Sequence, residues 1–142
     1  MLEPGTKEQL TSVVTDQQST VGDVLVDTAL VVSLLANSTY YLRVGLEMDV
    51  ASVETIDVQL AFTGTTTAQT RLFYHFPIAN SIGTFELNTR YGTSATEEIP
   101  QLWGVIHTGS GGLLRVQYAK YTQVGATKLW IRPGSHIVAT RI

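Results

Sequence analysis

The chain has 142 residues, no cysteine, a formal net charge of −3 and only 15% charged residues. That length allows one domain with a core of its own, and the missing cysteines exclude disulfides, thiolate metal sites and cysteine nucleophiles together. Its nine Lys and Arg are scattered, which argues against a nucleic-acid partner, and no stretch has the apolar length of a membrane span or signal peptide.

In chain order, Met1, Leu2, Glu3, Pro4, Gly5 and Thr6 form an extended arm, because Pro4 and Gly5 propagate neither helix nor sheet. Residues 7–142 then read as a single β domain. Lys7 to Ser19 alternates loosely around Leu10 and Val13 or Val14 and reads as one edge strand. Val24 to Leu35 fits a short buried helix or strand; its valines and the Asn37-Ser38 turn favour strand. Thr39 to Val50 alternates throughout, with Tyr40, Leu42, Val44, Leu46, Met48 and Val50 on one face and Tyr41, Arg43, Gly45, Glu47 and Asp49 on the other. After a short connection Ile56, Val58, Leu60 and Phe62 repeat the pattern, and Gly64 with three threonines makes the next loop. Leu72, Tyr74 and Phe76 mark one further strand and Phe85, Leu87, Thr89 and Tyr91 another, the two ended by Pro77 and Gly92.

The last third, Gln101 to Ile142, is three apolar runs and a terminal strand. Gly109, Ser110, Gly111 and Gly112 suit a hairpin turn between the first two runs. Leu114, Val116 and Tyr118 alternate in the second run, and Pro133-Gly134 closes the third before a strand from Ser135 to Ile142. Turn signals every eight to twelve residues or so are the spacing of an antiparallel sandwich or barrel of about eight strands.

These elements carry a resemblance. Gly104 to Ile106, Gly109 to Gly112, Leu114 to Lys120, Thr127 and Gly134-Ser135 to Arg141-Ile142 follow a pattern that resembles a module of tailed-bacteriophage virion proteins. The N-terminal half is similar to the same module in Asp16-Gln17, Asp27, Leu30, Leu34, Ala36-Asn37 and Tyr40. The resemblance implies a jelly-roll-like antiparallel β-sandwich, all-β, and a structural role in a virion.

Residues that could carry chemistry do not converge in the sequence. His75, His107 and His136 lie singly in strand patterns and read as ordinary half-buried histidines, without metal-ligand spacing. Glu97-Glu98 ahead of Ile99-Pro100 and the Glu47/Asp49 pair read as solvated surface. Gly109 to Gly112 lacks the Lys and Ser or Thr of a phosphate loop. Asn37-Ser38-Thr39 matches the glycosylation acceptor by chance. Trp103, Trp130, Tyr118, Tyr121, Tyr40 and Tyr74 could form a sugar platform, although aromatics in alternating strands are more often core or interface. The chain therefore reads as a non-enzyme with no cofactor and no metal.

Low charge together with 44% apolar residues points to a surface partly covered by partners. The resemblance makes those partners a second and third copy of this chain and a major capsid protein. The expected function is phage capsid decoration, a cement homotrimer on the outer head surface that is made in the host cytoplasm and clamps the lattice. The other reading from the same resemblance is a head- or tail-fibre module that contacts a host receptor. A fibre adds an anchor and a shaft to its head, so one domain with a short arm fits cement better. A lectin-like or enzymatic jelly roll unrelated to virions is a third class, disfavoured by the resemblance. Tyr41, Tyr91 and Tyr121 are the candidate subunit-interface residues, and Met1 to Thr6 the candidate capsid-contact arm. Metal chelators are expected to leave the thermal midpoint unchanged; a chelator-induced fall in scanning calorimetry would bring the three histidines back as a site.

Overall fold

The computed structural model describes residues 8–12, 17–19, 24–120 and 129–142, and the regular elements among them are all strands. These are β1 (Glu8–Ser12), β2 (Gln17–Ser19), β3 (Val26–Leu34), β4 (Thr39–Gly45), β5 (Met48–Phe62), β6 (Arg71–Phe76), β7 (Ser81–Phe85), β8 (Arg90–Glu98), β9 (Gln101–His107), β10 (Gly112–Lys120), β11 (Leu129–Ile131) and β12 (His136–Arg141). The first sheet runs β1-β12-β4-β9-β6-β7. The second runs β2-β11-β5-β10-β3, with β8 along the opposite side of β5. All pairings are antiparallel.

From β3 to β10 each strand lies in the sheet opposite its predecessor, except β7, which pairs with β6. The result is two interleaved four-stranded sheets, β4-β9-β6-β7 and β3-β10-β5-β8, the arrangement of a jelly roll. Outside this eight-stranded motif, β1, β2, β11 and β12 bring the strands among the described residues to twelve, and β12 falls on the terminal strand expected from Ser135 to Ile142. On one side β1 pairs with β12 of the first sheet, and Thr11 Oγ1 donates to the Val31 carbonyl of the second at 2.8 Å.

Both sheets turn their apolar faces to one core. Leu30, Leu42, Ile106, Leu114, Val116, Ile131 and Ile137 are fully buried there, each side chain worth about 1.5–3 kcal/mol on removal from water. This shared core corrects several boundaries read from the sequence. The Thr39–Val50 alternation is two strands: the chain turns at Leu46-Glu47 from the first sheet to the second, and Leu46 and Met48 stay buried because either sheet demands the same inward phase. The presumed connection between Val50 and Ile56 is absent, since both belong to β5, whose pairing with β8 slips between Asp49 and Glu54. Phe85 to Tyr91 is the end of β7, a turn with Asn88 at φ 60, and the start of β8.

Gly109–Gly112 is not a hairpin turn, because β9 and β10 lie in opposite sheets and the glycines carry the chain over the top of the core. A Cβ at Gly111 would meet the Leu34 carbonyl at 2.7 Å, so this crossing runs tight against β3. Lys7–Ser19 is likewise not one strand, as β1 and β2 join different sheets. The Pro133-Gly134 turn is present, with Gly134 at φ 100 and Ser135 N–H donating to the Arg132 carbonyl at 3.2 Å.

The largest correction concerns Glu98. Read as solvated, it is 1% exposed, and its carboxylate accepts the backbone N–H groups of Ile78 (2.9 Å), Ala79 (2.9 Å) and Ile99 (3.0 Å). It thereby fixes the β6–β7 turn against the end of β8. At the opposite end Thr108 Oγ1, also buried, donates to the Leu35 carbonyl at 2.6 Å and accepts Ser38 N–H at 2.9 Å. Removing an acceptor from buried donors costs about 1–3 kcal/mol for each group left unpaired. Glu98→Ala should therefore lower stability in urea denaturation by about 3 kcal/mol or more. Glu97→Ala should stay within about 0.5 kcal/mol of wild type.

Candidate functional site

The two outer faces of the sandwich differ in chemistry. On the second sheet the polar side chains engage one another. Asp27 accepts from Arg115 Nη1 at 2.8 Å and Gln117 Nε2 at 2.7 Å; Gln59 Nε2 reaches Gln117 Oε1 at 3.4 Å; Arg90 pairs with Asp57 at 2.7 Å. The Gln117 bond, then Arg115, holds the Asp27 carboxyl below its ordinary pKa.

The first sheet presents an aromatic and cationic face instead. Antiparallel register aligns Leu10, Val138, Arg43, Trp103, Phe73 and Thr84 in one row across six strands. Phe73 and Trp103 stack with centroids 5.8 Å apart and planes 24° apart. Leu10, Tyr41, Phe73 and Ile82, spread across this face from β1 to β7, are exposed to 61%, 41%, 37% and 69%. Strands β4, β6, β7, β9 and β12 contain no Asp or Glu, although the chain as a whole is acidic.

The neighbouring row is His136, Gly45, Gln101, His75 and Ile82. Gly45 brings no side chain, so the row is interrupted by a depression of about 260 Å³, walled by Tyr41, Arg43, Gln101, Trp103 and His136. The His136 ring leans over its floor, 2.7 Å from where a Gly45 Cβ would stand. His136 Nδ1 lies 3.0 Å from the Gly134 carbonyl. A carbonyl only accepts, so Nδ1 carries the proton, and in the neutral ring Nε2 is then the acceptor. Among the described residues, the side chains of Tyr41, Arg43 and Gln101 have no hydrogen-bond or ion-pair partner.

The sequence-derived candidates are dispersed by the fold. His75, His107 and His136 are half-buried on β6, β9 and β12; His107 Nδ1 lies 2.9 Å from Thr39 Oγ1, and no three metal-ligating side chains gather among the described residues. Asp49 pairs with Arg132 at 2.8 Å, and that guanidinium lies 4.7 Å from the Trp130 ring centre. Tyr40 and Tyr118 are core residues. Tyr91 packs on Tyr74 and Phe85, at 5.5 and 5.9 Å. Of the interface candidates, Tyr41 is exposed beside the depression, while Tyr121, like the arm Met1 to Thr6, lies outside the described residues. Gln101 and His136 join Tyr41 around the depression only through strand pairing, which sequence spacing does not show.

The sequence matches no family model and no curated protein. Among solved structures, it is similar to the Yersinia pseudotuberculosis-derived mitogen at 7% identity, over 73% of this chain and 93% of that chain, with a TM-score of 0.32. A likeness at that score carries no functional argument.

Asp27 offers a check on the network of the second face. Its lowered pKa means that it stabilises the fold above the unfolded-state value of about 4, and that this contribution is lost as pH falls through the folded-state value. Asp27→Asn should cost at most about 1 kcal/mol at neutral pH, because half of the carboxylate side chain is in water. The gap between variant and wild type in denaturant midpoints should close below about pH 4.

Proposed function

We propose that this protein is a capsid decoration protein of a tailed bacteriophage, seated as a homotrimer on the outer head surface, where it stabilises the lattice of the major capsid protein. The resemblance to virion modules supports this reading, and one structural observation carries it. Because β1 runs antiparallel to β12 with Glu8 opposite Thr140, β1 begins at the end of the domain where β12 finishes. At that same end Leu35 and Leu113 stand 53% and 46% exposed, on segments that meet where Gly112 pairs with Leu34. An arm that leaves beside exposed apolar side chains is suited to ordering on a partner's surface. Three such ends around a local three-fold axis multiply a weak contact into a firm one.

The depression at Gly45 favours a second reading, a head- or tail-fibre module that contacts a host receptor. Its unengaged polar groups are those of a small ligand site rather than a flat seat.

Deleting residues 1–6 should leave the thermal midpoint nearly unaltered while weakening sedimentation with undecorated heads, and Leu35→Asp should weaken it further. Light scattering of the free protein should report a trimer at micromolar concentration. Equal sedimentation of truncated and full-length protein would remove the arm from the interface. No sedimentation of either would leave the fibre reading.

A further inference from the structure

We infer that the Gly45 depression is a binding site for a carboxylate-bearing sugar ring. Four observations converge on it. The space, about 260 Å³, lies just below the range of about 300–1,000 Å³ that holds drug-sized molecules, which sets the ligand near one ring in size. Trp103, stacked on Phe73, supplies a broad aromatic wall of the kind against which the C–H face of a pyranose packs. Around it stand a guanidinium, a carboxamide, a phenol and an imidazole Nε2. These are donors and acceptors on several sides, as a ring carrying hydroxyls requires. Three of those side chains, Arg43, Gln101 and Tyr41, have no partner among the described residues, in contrast to the polar groups that pair with one another on the second sheet.

Charge then selects among sugars. The strands that build this part of the face, β4, β6, β9 and β12, hold Arg43, Arg71, Arg141 and three histidines and no carboxylate, and the nearby Glu47 lies round the corner against Gly134. Elsewhere Arg90, Arg115 and Arg132 each pair with an aspartate, whereas Arg43 is exposed. A guanidinium with no ion-pair partner among the described residues, on a strand flanked by strands that hold no carboxylate, presents a planar fork that a carboxylate fills with two parallel hydrogen bonds. A uronic or sialic acid offers that carboxylate on the ring that stacks.

In this arrangement Trp103 takes the ring face, Arg43 the carboxylate, Gln101 and Tyr41 the hydroxyls, and His136 Nε2 accepts from one hydroxyl. The glycine is what makes room: a side chain at position 45 would meet the His136 ring. The depression lies at the end of β4 away from Leu35 and Leu113, so a domain standing on its arm end leaves the site open. The inference therefore holds on a head or in a fibre.

The test is titration of the full-length, isotope-labelled protein by NMR with four probes: glucuronate, galacturonate, N-acetylneuraminate and uncharged galactose. At least one of the acids should shift the Gly45 amide and the Trp103 indole signals at millimolar concentration, with galactose binding at least tenfold more weakly. Arg43→Gln, a change at an exposed position, should weaken the acid at least tenfold and leave galactose unaltered. Gln101→Ala should weaken both. Asp27→Asn, on the opposite sheet, should change neither. The proposal is overturned if none of the acids shifts these signals, if galactose binds as well as the acids, or if Arg43→Gln binds them like wild type. Head sedimentation by Arg43→Gln at wild-type levels is expected, so a failure of this site and a failure of the decoration reading are told apart.

Discussion

Two sheets press a single set of apolar side chains between them, and every strand of either sheet must therefore point the same alternate residues inward. This requirement is stronger than any local turn preference. It lets the chain cross from sheet to sheet at Leu46-Glu47 without breaking the rhythm, because Val44, Leu46 and Met48 remain buried on either side of the corner. It also frees the outer residues of each strand from the core, so the two outer faces could diverge in chemistry while the interior stayed uniform.

The alternation was legible residue by residue for the same reason. Tyr40, Leu42, Val44, Ile56, Val58, Leu60, Leu114, Val116 and Tyr118 are all inward, as their period requires. Which sheet each strand joins was not legible, since inward is inward for both. Hence the glycines at 109–112 passed for a hairpin, and one long strand was read across the corner at Glu47. Glu98 escaped for a different reason. A carboxylate beside another in sequence looks solvated, and its three backbone donors come partly from a turn twenty residues away. Half of the candidate site was visible, because Tyr41, Arg43 and Gly45 fall on the outward face of the alternation. The other half, Gln101, Trp103 and His136, arrives through pairing of β4 with β9 and β12, strands far away in the sequence.

Polar saturation separates the outer faces more sharply than hydrophobicity does. Asp27, Gln117, Gln59, Arg115, Arg90 and Asp57 bond to one another, and the buried Arg115 Nε is the polar atom left over among them. On the first sheet Arg43, Gln101 and Tyr41 remain open beside Trp103 and Phe73, and residues of this kind dominate binding energy where surfaces meet. With no Asp or Glu on β4, β6, β7, β9 and β12, a molecule of net negative charge keeps one region that attracts anions.

The position of β12 between β1 and β4 has a consequence for how the molecule is made. Among the described strands only β6 and β7 pair with their immediate neighbour in sequence, and β3 finds its partner β10 almost eighty residues later in the chain. Few contacts can form early on the ribosome, and contact order this high places folding in the millisecond-to-second range. At synthesis rates of about 5–20 residues per second, β3 waits on the order of several seconds for its partner, with a bare edge exposed meanwhile. β1 waits longer, because its strand partner is the last to emerge. The domain assembles as a late, concerted event, and a nascent chain stopped short of β12 would be left with two unpaired edges where the finished molecule has a continuous sheet.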